Sequence, residues 1–208
     1  MVNERILVLG IGNILWADEG FGVRVVEALD RDYSMPDGVT LVDGGTQGLY
    51  LLPYLEESDA VIIIDAVDYD LPPGTLHLLA DGEVPAVLGA RKVSLHQTGF
   101  QEVLALLQLR GCAPRRLLLV GVQPHTLNDY GGGLTDVVAA EVAPAADHVV
   151  ALLRDEFGVA LLRRSSNDPL VIAAAVAREA YEAGRPTAIE ACRIGDARVL
   201  ARRCAEAG

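Results

Sequence analysis

Acidic residues stand where buried strands are expected to end, and carboxylates in that position can reach a ligand. Asp18 and Glu19 follow the apolar run that starts at Ile6, Asp43 follows a second apolar run, and Asp65 follows a third. In open parallel α/β sheets, ligands bind outside the carboxyl ends of the strands, near the point where strand order reverses. Any one such acid could instead be a helix N-cap or a loop charge. Their expected convergence on one edge favours a carboxylate-lined site.

The four histidines differ in where the pattern places them. His96 lies just before a predicted helix, where an imidazole can reach the same edge, whereas His77 and His148 lie inside a predicted strand and a predicted helix. His125 lies in a loop after a strand. A lone histidine is ordinarily either hydrogen-bonded within the fold or exposed to solvent. The pattern alone therefore does not show which of the four would be a functional residue.

Convergence of Glu19, Asp65 and His96 would create a metal site. Two carboxylates and one imidazole form a three-ligand set with open coordination positions, as a catalytic or substrate-shared metal requires. Such a set suits a divalent first-row metal without strongly selecting one.

Familiar motifs for other chemistries fail on inspection. Gly10 and Gly12 begin a GxGxxG pattern, but Leu15 occupies its third glycine position, which weakens pyrophosphate binding. The Asp-Gly-Gly-Thr sequence at 43–46 is similar to the loop of an aspartic protease, but it has no second copy. There is no HExxH and no GxSxG sequence, so zincin and serine-hydrolase functions lack support.

Alternating strands and helices must position these residues. Short apolar runs predict buried strands at 6–9, 39–42, 60–64 and 117–122, and an edge strand at 75–79 that is free to run antiparallel. Helical spacing predicts a first helix after Asp18 that includes Val23 to Leu29, and a second over 49–55 with a disruption at Pro53. Two more are predicted from a cap at Ser94 or Thr98 through Leu107, and from Thr135 or Asp136 to about Phe157. The alternation predicts a three-layer α/β fold with a twisted, mostly parallel five-stranded sheet flanked by helices.

The charge distribution predicts a boundary after residue 158. Residues 1–158 carry 9 Lys+Arg against 23 Asp+Glu, whereas residues 159–208 carry 8 Arg against 6 acids. We therefore predict an α/β domain at 1–158 and an Ala/Arg-rich, helical C-terminal extension at 159–208, with helical patterns from 169 to 181 and before Cys204.

Composition excludes several partners and compartments. The formal net charge of −12 disfavours nucleic acid, because phosphate binding needs a basic face. No apolar run is long enough to cross a bilayer and no signal peptide is evident, so we expect a cytoplasmic protein without a membrane partner. The three widely spaced cysteines argue against a disulfide framework and a structural zinc site.

Several segments, in order, make the chain similar to the hydrogenase maturation endopeptidases. They cover about residues 5–155, and the ordered set is far more specific than any one of them. The matching segments are ILVLGIGNIL at 6–15, DEG at 18–20, GVR at 22–24, DGGT at 43–46, IDA at 64–66, PGT at 73–75, SLHQ at 94–97, LVGVQP at 119–124 and GLT at 133–135.

The resemblance implies a function. Family members remove a short C-terminal extension from the precursor of the nickel-iron hydrogenase large subunit once nickel has been inserted. The family's metal-contacting residues correspond to Glu19, Asp65 and His96, and Asp18 and Asp43 correspond to neighbouring acids that we interpret as orienting groups. Nickel would arrive with the precursor, so no tightly bound resident metal is expected.

The sequence leaves the mechanism and two alternatives open. A metal-polarised carbonyl, a metal-activated water, or an aspartyl-type mechanism with Asp18 or Asp65 as the base on water would each allow cleavage. The alternatives to a peptidase are a nickel-dependent chaperone of the precursor and a Rossmann-like nucleotide-binding protein.

Overall fold

A five-stranded sheet forms the centre of the fold. The computed structural model describes residues 4–90, 95–127, 129–165 and 170–172, with the backbone alone at 87, 89, 90 and 95–99. The strands stand in the order β3-β1-β4-β6-β5, and only β5 is antiparallel to its neighbour. They are β1 Ile6–Ile11, β3 Val39–Gly45, β4 Ala60–Ala66, β5 Leu76–Ala80 and β6 Arg116–Val122.

Helices cover both faces of the sheet and bury two apolar cores. One face packs against α1 Phe21–Asp32, α5 Asp136–Ala139 and α6 Val142–Phe157. The other packs against α2 Leu52–Glu56, α3 Glu83–Ala90 and α4 Leu95–Arg110. Because β1, β4 and β6 are covered on both faces, their residues are apolar almost without interruption. The predicted three-layer, mostly parallel fold is confirmed.

The chain returns to the core after α6. Gly158 has a left-handed conformation (φ 68°) and ends α6, as glycine commonly does at the C-terminus of a helix. Beyond it, β7 Leu162–Arg163 pairs antiparallel with β2 Tyr33–Ser34, which directly follows α1. The Arg163 guanidinium lies 4.5 Å from the centre of the Tyr33 ring.

A buried carboxylate holds this returning segment. Asp30 is 1% exposed and accepts a hydrogen bond from the Arg164 guanidinium at 2.6 Å. Its other oxygen accepts the backbone N–H groups of Val171 and Ile172 at 2.8 and 2.7 Å. The described residues all belong to one compact unit, Met1–Ala174. The boundary after 158 stays a prediction, and the predicted helices of the 159–208 segment lie outside the described residues.

The structure corrects three details of the predicted helices. The last predicted helix is divided into two helices, α5 and α6. In one continuous helix the ring of Pro144 would clash with the carbonyl group of residue 140. Thr98 lies inside α4 and is not its cap, while Ser94 lies outside the described residues. The helix α3 was not predicted, because its sequence EVPAVLGA contains both proline and glycine. No helix among the described residues has both the length and the apolar character needed to cross a membrane.

Candidate active site

The strand order opens a crevice at the carboxyl ends of β1 and β4. The chain leaves β1 for α1 on one face of the sheet and continues to β3. In contrast, β4 connects through β5, α3 and α4 to β6 on its other side, and both helices lie on the opposite face. Diverging connections of this kind leave a space between adjacent strands where α/β proteins bind ligands. The predicted edge therefore coincides with the topological switch point of the sheet.

Close backbone packing brings Glu19 to this crevice. Glu19 lies in a short 3₁₀ helix, Ala17–Gly20, that leads directly into α1. A Cβ atom on Gly22, in the first turn of α1, would lie 2.1 Å from the carbonyl oxygen of Ile64 and 2.3 Å from that of Ile11. Only glycine allows α1 to begin so close to the ends of both strands, and the half-buried Glu19 precedes it by three residues.

Asp18 is buried and saturated with hydrogen bonds. It is 0% exposed, and one carboxylate oxygen accepts the backbone N–H groups of His125 and Thr126, both at 2.9 Å. The other accepts the Thr135 N–H at 2.7 Å, and the Thr135 hydroxyl lies 3.0 and 3.1 Å from the two oxygens. This arrangement holds three loops of the site edge together and supports an orienting role for Asp18.

Asp65 is the buried carboxylate of the crevice. It is the penultimate residue of β4, is 1% exposed, and its Oδ1 atom accepts the Ala66 N–H at 2.8 Å. It lies opposite Gly121 in the pairing of β4 with β6. Ile63 and Leu119, two residues earlier in each strand, both contribute to the core under α4, so Asp65 and Gly121 face the same side.

His96 lies in the first turn of α4, on the face of the sheet toward which Asp65 points. Its position is four residues before Phe100, which is 2% exposed in the core between α4 and the sheet. Only the backbone of His96 is described. Among the side chains that the structure describes, no group of three His, Cys, Asp or Glu could hold a metal ion, and the predicted trio therefore stays a prediction.

Asp43 organises the end of β3. Its Oδ1 accepts the Gly45 N–H at 3.0 Å, and the Gly45 carbonyl in turn accepts the Gly12 N–H at 3.0 Å, which ties β3 to the loop after β1. Burial raises the pKa of the Asp43 carboxyl above its ordinary value, and the Gly45 N–H and the charge of Arg24 oppose this only in part. The contacts fit the orienting role predicted for Asp43.

Two residues of this edge, Tyr69 and Gln123, were not singled out from the sequence. The Gln123 side-chain oxygen accepts the N–H groups of Tyr69 and Leu71 at 2.7 and 3.2 Å, and its amide donates to Asp68 at 3.0 Å. Gln123 thus fixes the loop after β4, and Tyr69 extends from that loop. Their sequence signals are their positions shortly after strands β4 and β6 and, for Gln123, its place in the matching segment at 119–124.

Comparisons with known proteins identify similar sequences and structures. A sequence model described as "HycI: Hydrogenase maturation protease" matches residues 23–152. The chain belongs to the hydrogenase maturation protease family. A relative from Rhodobacter capsulatus, "Hydrogenase expression/formation protein HupD", is 53% identical over 195 residues, which are 94% of this chain and 92% of that protein. The "Hydrogenase 2 maturation protease" of Escherichia coli is 46% identical over 79% of this chain and 99% of that protein.

The fold of a solved family member is also similar. The hydrogenase maturating endopeptidase HybD from E. coli superimposes with a TM-score of 0.73 at 47% identity, over 78% of this chain and 99% of that one. As a member of the hydrogenase maturation protease family, the chain is a peptide hydrolase. The R. capsulatus relative aligns over more residues than 1–158 contain, so likeness within the family extends into the 159–208 segment.

Proposed function

We propose that this hydrolase removes the C-terminal extension of a nickel-iron hydrogenase large-subunit precursor after nickel insertion, and that Glu19, Asp65 and His96 contact the nickel. Family membership supports the substrate class. Two observations support the assignment of the site: the 3₁₀ helix that carries Glu19 contacts β4, which bears Asp65 near its carboxyl end, and α4 packs on the face of the sheet that Asp65 faces.

The chemistry of the three side chains suits a metal that is shared with the substrate. Two carboxylates and one imidazole leave coordination positions open, which the precursor's own ligands would fill. In this proposal the precursor carries the nickel as part of the substrate, and the enzyme holds no tightly bound resident metal. Recognition of nickel would hold the scissile bond over the ends of β1 and β4.

The hydrogen bonds of Asp18 argue against it as the base. The Asp18 oxygens already accept bonds from three backbone N–H groups and one hydroxyl, so Asp18 is poorly suited to take a proton from water. Asp65 lies at the crevice, buried, and we assign it the role of base in an aspartyl-type cleavage. Asp18 and Asp43 then orient the loops around it.

The glycines at the start of the chain fit this function without a nucleotide. A Cβ on Gly10 would lie 2.3 Å from the carbonyl oxygen of Gly22, so Gly10 is needed for the packing of β1 on α1. This contact accounts for part of the glycine pattern that suggested a Rossmann-like alternative. We also propose a cytoplasmic location, which the odd number and wide spacing of the cysteines support, since they suit a reducing compartment.

Mass spectrometry of the precursor tests the proposal. The purified protein is incubated with a cognate large-subunit precursor in nickel-loaded and nickel-free forms, and we expect the C-terminal extension to be lost from the loaded form alone. Equal cleavage of both forms would contradict nickel recognition. Stable binding without cleavage would instead indicate a chaperone of the precursor.

A further inference from the structure

Tyr69 places a buried hydroxyl group beside Asp65, and no residue in the described part of the chain pairs with it. The Tyr69 oxygen is shielded from solvent and has no hydrogen-bond partner there. Buried hydroxyl groups are nearly always paired, because burial without a partner costs free energy. An unpaired one at a site edge is therefore a candidate for a ligand contact.

The position of this hydroxyl follows from Gly121. A Cβ on Gly121 would lie 1.9 Å from the Tyr69 oxygen, so the phenol occupies the space that a side chain at 121 would fill. Gly121 lies directly opposite Asp65 in the sheet, and both face the same side. Since paired strands are about 4.8 Å apart, a group 1.9 Å from that Cβ position lies about 3–7 Å from the Asp65 Cβ atom.

The Tyr69 ring is held in this position from two directions. Its backbone N–H donates to Gln123 at 2.7 Å, and its ring contacts His77 edge-to-face with the centroids 5.1 Å apart. Burial, and then the negative charge of Asp65, raise the pKa of the phenol. A tyrosine hydroxyl ordinarily loses its proton only near pH 10, so at neutral pH it can act as a hydrogen-bond donor.

We propose that Tyr69 is a catalytic residue whose hydroxyl donates a hydrogen bond to the carbonyl oxygen of the precursor's scissile peptide bond. This inference rests on the proposed function. When the water oxygen bonds to the carbonyl carbon, one water proton passes to the base and the carbonyl π electrons move to the oxygen. Tyr69 stabilises that oxyanion without losing its own proton. Collapse then breaks the C–N bond, the amine takes up a proton, and a carboxylate and an amine are released.

The conservative variant Tyr69→Phe tests this role. It keeps the ring against His77 and removes only the hydroxyl. With nickel-loaded precursor we expect kcat to fall about 100-fold, as for loss of one oxyanion donor, with KM within about twofold of the parent. We expect the melting temperature to stay the same or rise, because an unpaired buried group has been removed.

A matched variant and the parent protein make the result decisive. Tyr33→Phe removes a hydroxyl at the other end of α1 and should leave kcat unchanged. If the parent cleaves the precursor and Tyr69→Phe cleaves it equally fast, this inference alone is overturned. A lower melting temperature in Tyr69→Phe would reveal a structural partner for the hydroxyl and would also overturn it. If the parent itself fails to cleave, the proposed function is wrong, and this inference with it.

Discussion

Asp18 and Thr135 are 117 residues apart in the sequence, and Thr135 donates both its backbone N–H, at 2.7 Å, and its hydroxyl, at 3.0 Å, to the Asp18 carboxylate. Thr135 precedes α5 as its N-cap residue, yet its side chain forms no capping bond to that helix. The Thr135 hydroxyl bonds to Asp18 at the site instead of capping α5. The loop that carries Glu19 is thereby tied to the segment before α5.

Replacing Asp18 with asparagine should destabilise the fold by about 3 kcal/mol. The amide NH₂ would face N–H donors that now bond to a carboxylate oxygen, and buried donors without an acceptor are costly. Urea unfolding of Asp18→Asn measures the change. Asp147→Asn, on the exposed side of α6, should change stability by less than about 0.5 kcal/mol. Equal stability of the two variants would mean that the Asp18 bonds contribute nothing.

Glu19→Ala and His96→Ala should separate activity from stability. We expect each variant to unfold at the parent's urea concentration but to process nickel-loaded precursor at least about 100-fold more slowly, because a proposed nickel contact is lost. Product mass over time gives the rate. His148→Ala, which removes an exposed imidazole on α6, is the control and should process normally. Near-normal processing by both site variants would show that the trio is wrongly assigned.

Asp43→Asn should stabilise the protein at neutral pH and not in acid. The asparagine oxygen can still accept the Gly45 N–H, but the buried negative charge is removed. The pKa of Asp43 is raised above 3.8 in the folded state, so ionisation opposes folding. That cost is absent below pH 3.8 and complete above the folded pKa. The stability difference between variant and parent, measured from pH 3 to 7, should therefore grow as the pH rises. A constant difference would contradict this.

Arg164→Met should destabilise the protein by about 3 kcal/mol, because it leaves the Asp30 carboxylate buried without its ion pair. Chemical unfolding measures the loss. The control is Arg154→Met, which breaks the pair with Asp155 on the surface, where both side chains are mostly exposed, and should cost less than about 0.5 kcal/mol. If the two variants lose the same small amount, Asp30 does not depend on Arg164.

Much of the fold was predictable because its strands are encoded locally. The runs at 6–9, 60–64 and 117–122 are buried on both faces, and uninterrupted apolar sequence of strand length signals this directly. The Pro-Pro-Gly sequence at 72–74 indicates a turn before the edge strand β5, although it leaves the direction of that strand open. In contrast, β2 and β7 consist of two residues each, too few for any periodicity.

The site was predictable only in part, because its decisive contacts are not local. The position of Asp65 at a strand end could be read from the sequence, and resemblance singled out Glu19 and His96. The hydrogen bonds of Asp18 could not be foreseen, since their donors lie in loops more than 100 residues away. The space over Gly121 that receives the Tyr69 hydroxyl could not be foreseen either. Its position beside Asp65 depends on the register of β4 with β6, which is not encoded locally.

The bonds between Asp18 and Thr135 also set an order of events during synthesis. A ribosome releases the chain from its N-terminus, so β1 and the Glu19 loop emerge long before the residues that hold them. Until Thr135 has left the exit tunnel, Asp18 lacks the partners that lock this loop. The Glu19 loop of a nascent protease therefore stays without these bonds until the segment before α5 has been made.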